Sequence, residues 1–199
     1  MKNKITPAIF EEIIAEHQQI ANQLYKNNAL HYQLYEISTR IIESVKKGGQ
    51  IFFCGNGGSA ADAQHLSTEL ISKFKYERKP INSESLTVNT SILTAVGNDF
   101  SFDKVFSRQI DAKGKKGDVL VAISTSGYSQ NVIEAVKSAN KLGLITIGLT
   151  GNNCNSPLVA NAKLSINVPS SSTPRIQEMH ILIGHIMCEY IEKELFKQN

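Results

Sequence analysis

The sequence predicts an α/β protein: a three-layer αβα sandwich on a five-stranded, mainly parallel sheet, preceded by an N-terminal helical hairpin. Three observations predict it. Short Ile- and Val-rich apolar runs recur along the chain, helix-period segments separate them, and the residues before position 49 carry helix-period apolar spacing alone. Strands that alternate with helices imply a parallel sheet covered on both faces.

The hairpin comes first. Over residues 7 to about 47 the apolar residues Ile9, Ile13 and Ile14, then Leu34, Ile37, Ile41 and Ile42, fall at helical spacing. Asn27 and Asn28 mark the break between the two helices, and Gly48 and Gly49 form the stop. The predicted strands are 50–54, 118–124, 144–149 and 164–168, with a weaker one near 85–88. The predicted helices are 60–75, 90–96, 102–112, 131–142 and a long last one from about 173 to 196, with Pro174 suited to its first turn. No internal repeat, low-complexity tract or linker interrupts the pattern. At 199 residues and 41% hydrophobic, the chain reads as one domain over 1–199, with 1–49 a helical segment suited to packing in an oligomer.

Composition narrows the partners. The 21 basic and 18 acidic residues give a net charge of +3, and no Lys/Arg run is dense enough to form a nucleic-acid or membrane stripe. Small molecules and further copies of the chain are the expected partners. Cys54, Cys154 and Cys188 show no C-x-x-C spacing, so neither a disulfide framework nor a thiolate zinc site is expected, and a reducing compartment fits. Residues 1–10 lack a signal-peptide apolar core and no run is long enough to span a bilayer, so a cytoplasmic location is expected.

Two loops have the chemistry to hold a phosphate. The first strand runs into Cys54-Gly55-Asn56-Gly57-Gly58-Ser59 and then into a helix, which turns backbone N–H groups and the positive end of the helix dipole toward an anionic or polar ligand. A tight strand-to-helix turn capped by Ser59 is the plainer alternative. Gly55-x-Gly57-x-x-Ala60 also meets the loose dinucleotide fingerprint, but the region where its acidic strand end belongs is charged and ends in Pro80, so nucleotide binding ranks lower. The second loop, Ser124-Thr125-Ser126-Gly127-Tyr128-Ser129, sets four hydroxyls around a glycine at a helix start. One would serve as an ordinary cap; four suit a phosphate.

Two further sets carry ionisable chemistry. His65 and Glu69 are four residues apart on one predicted helix, hence on one face. Such a pair is more often a surface pair, but this one follows the glycine loop within three turns. In the last helix Gln177, His180 and His185 stand in an apolar frame of Ile181, Leu182, Ile183, Ile186 and Met187. Polar residues in such a frame are either buried with partners or face a site. His180 reads as a hydrogen-bonded core or interface histidine.

Taken together, the 54–65 stretch with Glu69, Val96-Gly97-Asn98-Asp99-Phe100, the 124–129 loop, and Arg175-Ile176-Gln177-Glu178-Met179-His180 with His185 resemble the phosphoheptose isomerase family of the sugar isomerase (SIS) fold, which is flavodoxin-like. The likeness covers nearly the whole chain. It implies conversion of sedoheptulose 7-phosphate to D-glycero-D-manno-heptose 7-phosphate through an enediol, the entry to heptose synthesis for lipopolysaccharide. It also implies one zinc ion per subunit and a homotetramer. By position, the metal ligands would be His65, Glu69, Gln177 and His185, and the acid/base pair Glu69 and His185. Substrate contacts would fall on Asn56, Gly57, Gly58, Glu69, Asn98, Asp99, Ser124, Thr125, Ser126, Ser129 and Gln177. The chain departs from some members at Pro174, where they carry Asp, and at Lys73, where they carry Arg.

Aldose–ketose interconversion needs a proton moved between adjacent carbons and protons exchanged with two oxygens, which a carboxylate and a histidine can supply, with a divalent metal polarising the carbonyl. Gln177 and His185 lie eight residues apart, about 12 Å along a helix, too far to converge on one ion with bonds of about 2 Å. Either the site is shared between subunits or Gln177 precedes the regular helix. Two rival readings are a noncatalytic SIS-fold protein that binds the replication initiator DnaA and a sugar-phosphate-sensing domain. Relatives of the first kind lack the Glu and second His that this chain retains as Glu69 and His185.

Overall fold

The structure is a computed structural model that describes residues 7–196. Helices α1 (Ala8–Lys26) and α2 (Asn28–Lys46) form the hairpin. Asn27 turns the chain between them, and its side chain accepts the Leu30 N–H at 3.1 Å to cap α2. At the other end Gly48 takes φ 80°, which lets the Gly48 and Gly49 N–H groups close on the Val45 and Ser44 carbonyls at 2.9 Å. α2 buries Leu30, Leu34, Ile37, Ile41 and Ile42, whereas α1 leaves Ile9, Phe10, Ile13 and Ile14 exposed in the single chain.

Five strands follow: β1 (Ile51–Gly55), β2 (Ser83–Ser85), β3 (Val119–Ile123), β4 (Ile145–Thr150) and β5 (Leu164–Asn167). Their order is β2-β1-β3-β4-β5, and all four pairings are parallel. Alternation along the central strands sorts side chains to two cores. Ile51, Phe53, Val119, Val121 and Ile123 meet α2, α3 (Gly58–Ile71) and α8 (Thr173–Leu195) on one face. Phe52, Cys54, Leu120 and Ala122 meet α5 (Ser107–Lys113), α6 (Gln130–Leu142) and α7 (Pro157–Asn161) on the other. The remaining helix, α4 (Thr90–Asp99), buries no residue completely. The order reverses between β1 and β3, and the crevice at the carboxyl ends of such a strand pair is where ligands of open α/β sheets bind. The glycine loop leaves β1 and the serine loop leaves β3.

Several predicted boundaries move, each for a local reason. The helix expected over 60–75 ends at Ile71, because the N–H groups of Phe74, Lys75 and Tyr76 are taken by the Glu192 carboxylate instead of helical carbonyls. The helix expected over 102–112 divides into a 3-10 turn, Phe102–Lys104, and α5, with the turn between them burying Val105 and Phe106. The weak strand lies at 83–85 and not 85–88: Leu86 fills the core just past the strand, and Val88 is exposed. α7 has no counterpart among the predicted helices; Ser156 caps it and Pro157 opens it. Finally, the sheet is wholly parallel rather than mainly so among the described residues.

Candidate active site

Helices α3 and α8 lie side by side and run in the same direction, and two glycines permit their approach. A Cβ on Gly58 would stand 2.4 Å from the Gln177 amide nitrogen, and one on Gly184 would stand 2.4 Å from Leu66 Cδ2. These contacts set the register. His65 and His185, each beside a member of the Leu66–Gly184 pair, meet with their Nε2 atoms 2.8 Å apart. The Glu69 carboxylate is 3.3 Å from His65 Nε2. Ligand-capable atoms of His65, Glu69 and His185 all lie within 4.8 Å of one another. Two imidazole nitrogens this close share one proton or face a common cation. Two imidazoles and a carboxylate fit a divalent ion of borderline softness such as zinc.

Gln177 is not part of this group. α8 is continuous from Thr173, so the possibility that Gln177 precedes the regular helix is excluded. Its side chain sits at Gly58, seven residues and about 10 Å before His65 along α3. Pro174 occupies the first turn of α8. Lys73 is exposed in the segment after α3.

The two loops are tied together. Asn56, at the end of β1, exchanges reciprocal amide bonds with Asn131 at 2.8 and 2.9 Å, and Asn131 is buried in the first turn of α6. Gly57 takes φ 57° at the head of α3, a conformation that a side chain would strain. In the second loop Ser124 Oγ meets Ser129 Oγ at 2.9 Å and accepts the Gly127 N–H at 3.2 Å, while Ser126 Oγ accepts the Tyr128 N–H. Ser129 makes no side-chain cap to α6. Its hydroxyl therefore does not serve the ordinary role that one member of the loop was expected to fill. Gly127, at φ 75°, passes too close to Ser156 and Thr150 for a Cβ, and the Thr125 carbonyl accepts the Gly151 N–H at 3.0 Å.

Asn98 and Asp99 close α4, are exposed, and bond to each other at 2.9 Å. The structure thus brings His65, Glu69 and His185 into one cluster, joins the two loops through Asn56, and leaves Asn98 and Asp99 on an exposed helix end.

Two polar groups at the site lay outside the sequence reading. Asn131 reads as an ordinary residue of a helix start, and only its pairing with Asn56 reveals a role. Asp62, one turn before His65, has a buried Oδ2 without a partner; burial pushes its carboxyl up to about 6 against the opposing pull of His65. Burial also raises the Cys188 thiol to about 12, aided by the charges of Glu69 and Glu192 and opposed by Arg78, so it stays protonated beside Glu69. His180 is a fully buried core histidine whose Nε2 meets the Thr150 carbonyl at 3.2 Å; burial lowers its pKa to about 4, with that hydrogen bond opposing.

This arrangement has counterparts. Residues 13–151 match the SIS domain family model. A phosphoheptose isomerase of Clostridium acetobutylicum is 45% identical over 203 aligned positions that cover 98% of this chain and 97% of that protein. The chain belongs to the phosphoheptose isomerase family. Another member, from Rhodospirillum rubrum, is 52% identical over 78% of the chain and 82% of its own length. The solved phosphoheptose isomerase structure from Neisseria gonorrhoeae superposes with a TM-score of 0.87 at 41% identity, covering 94% of this chain and 98% of that one. The Francisella tularensis structure gives 0.89 at 32% identity, over 94% and 97%. The family fold thus extends through the N-terminal hairpin and α8, beyond the matched domain segment.

Proposed function

We propose that this chain is an aldose–ketose isomerase that converts sedoheptulose 7-phosphate to D-glycero-D-manno-heptose 7-phosphate, a precursor for heptose-containing lipopolysaccharide. The observation that carries this reading is the convergence of His65, Glu69 and His185 on two adjoining helices, in a chain whose full-length relatives are phosphoheptose isomerases.

Glu69 takes a proton from C1 of the ketose while His185 gives one to the C2 oxygen, leaving the enediol. His185 then accepts the proton of the C1 hydroxyl as Glu69 returns its proton to C2, which yields the aldose. No oxidant or second substrate is needed, since substrate and product are isomers. The loop hydroxyls of Ser124, Thr125, Ser126 and Ser129 hold the distal phosphate at the head of α6. Asn56 and the backbone at Gly57 and Gly58 hold the sugar end, and Asn98, Asp99 and Gln177 supply further hydrogen bonds. His65, Glu69, Gln177 and His185 would ligate one zinc ion per subunit. When bound, such an ion supplies Lewis-acid polarisation of the substrate carbonyl.

The 12 Å or so between Gln177 and His185 on one continuous helix supports a site completed by a neighbouring subunit. The apolar face of α1, with Phe10 and Ile14 more than half exposed, supports packing of the N-terminal hairpin in a tetramer. No described helix is long and apolar enough to cross a membrane, and we assign the enzyme to the cytoplasm. The DnaA-binding and sensing alternatives are not favoured, because both leave the His65, Glu69 and His185 cluster without work.

The test is direct. Purified protein is incubated with sedoheptulose 7-phosphate with and without a chelator, and the aldose phosphate is followed by NMR. Isomerisation that falls with chelation and returns with zinc supports the reading. No aldose under metal-replete conditions overturns it.

A further inference from the structure

The segment between α3 and β2, residues 73–80, is rich in charged and exposed residues, yet its Arg78 enters a buried ion pair with Glu192 of α8. Glu192, in the last turn of α8, is fully buried. Its carboxylate accepts the backbone N–H groups of Phe74, Lys75 and Tyr76 at 2.9, 2.7 and 3.2 Å and the Arg78 Nε–H at 3.0 Å. Burial alone would raise its pKa, but these four donors outweigh burial and hold it below the usual carboxylate range.

Arg78 is equally engaged, with its side chain only 2% exposed. Nη2 donates to the Glu69 carbonyl at 2.8 Å, and Nη1 to the carbonyls of Leu70, Ser72 and Lys79 at 2.7, 2.9 and 3.2 Å. A guanidinium here satisfies the carbonyls left open where α3 ends and opposes the negative end of its dipole. The same segment carries Phe74, whose ring centroid lies 5.5 Å from that of His185. A single buried ion pair thus reaches both halves of the acid/base pair, Glu69 through its own backbone and His185 through the aromatic ring that packs on it.

We infer that Arg78 and Glu192 are positioning residues for the isomerisation: they fix where α3 ends, and so the Glu69 carboxylate, and seat Phe74 against the His185 imidazole. Neither residue reaches substrate. This rests on the proposed function for its kinetic consequence but not for its structural one. Buried pairs of this kind are poor sources of net stability against apolar replacement, and the role inferred for this one is to specify a single arrangement of the α3 end and the 74–76 backbone. Orienting partners of active-site groups typically change activity by about 10- to 100-fold when lost.

The test uses Glu192→Gln, which keeps size but loses the charge, and Arg78→Lys, which keeps the charge but loses the fork, both in the full chain. The measurements are kcat and KM for sedoheptulose 7-phosphate, the unfolding temperature, and the 15N imidazole resonances of the metal-free protein. The expected result is a folded protein with kcat down about 10- to 100-fold, KM within about threefold, and His185 resonances shifted while those of His180, in the core, stay put. Lys75→Ala removes only the exposed Lys75–Glu189 pair and keeps kcat within about twofold. Should Glu192→Gln fail to fold, Phe74→Leu keeps the backbone donors and removes only the ring, and it must still lower kcat and move the His185 resonances. Folded variants with wild-type kcat and unmoved His185 resonances overturn the inference. If the wild type itself does not isomerise the sugar phosphate, the functional reading fails alone, and the His185 resonances still decide the positioning role.

Discussion

Replacing Gly184 by Ala tests the helix contact on which the site depends. The new Cβ would lie 2.4, 2.6 and 3.1 Å from Leu66 Cδ2, Cδ1 and Cγ, about 1 Å inside ordinary contact for the nearest atom. Leu66 is 1% exposed, so the clash is relieved either by its side chain displacing buried neighbours or by α3 and α8 moving apart. Overpacking of this kind costs about 1–3 kcal/mol, and the better helix propensity of Ala returns about 1 kcal/mol. The net destabilisation is about 1 kcal/mol, or roughly 2–4 °C for a domain of this size. The effect on activity is larger. His65 precedes Leu66 and His185 follows Gly184, so a shift of about 1 Å falls on the proposed active-site histidines, where it can lower turnover by about 100-fold. Thermal unfolding and steady-state isomerisation of Gly184→Ala, with a Leu66→Val second-site variant expected to restore part of the loss, measure both. A variant more stable than wild type with kcat within about twofold would refute this account of how the helices set the site.

Two other outcomes follow from the same contacts. Asn131→Asp breaks the reciprocal amide pair with Asn56 and sets a carboxylate at the head of α6, near the loop proposed to hold the phosphate; like-charge repulsion should raise KM for the sugar phosphate by about tenfold or more, and an unchanged KM would remove Asn131 from the proposed binding site. His180 is held neutral by burial, with a pKa of about 4 against 6.5 for an unperturbed histidine. The unfolded chain therefore takes up the proton first as pH falls. Its contribution is fully present above about pH 6.5, declines as pH drops toward 4, and amounts to about 3 kcal/mol over that window. His180→Gln should flatten that acid limb in urea titrations compared with wild type, and an unchanged slope would contradict the assignment.

Much of this was legible because backbone chemistry writes itself into sequence. The positive φ of Gly57 and Gly127 and the hydroxyls around Gly127 mark turns at strand ends, and His65 and Glu69 share a face by spacing alone. What was hidden depends on partners far along the chain. Glu192 terminates α3 across 116 to 118 positions of separation, and no local pattern announces it. Arg78 reads as one charge in a solvated run, although it caps the helix that carries Glu69. Asn131 looks like any amide at a helix start until Asn56 is seen opposite it. Helix geometry did separate Gln177 from His185, and the continuous α8 keeps them apart.

The central claim is that Glu69 moves the carbon-bound proton. It is tested most directly by comparing wild type with Glu69→Gln, metal-replete and in deuterated water, following aldose formation and deuterium at C2 by NMR. The wild type should turn over, with deuterium at C2 only to the extent that the proton held by Glu69 exchanges with solvent before its return, and the Glu69→Gln protein should bind sedoheptulose 7-phosphate but turn it over at least about 100-fold more slowly, the scale expected for loss of a general base. Turnover by Glu69→Gln within about tenfold of wild type would contradict it.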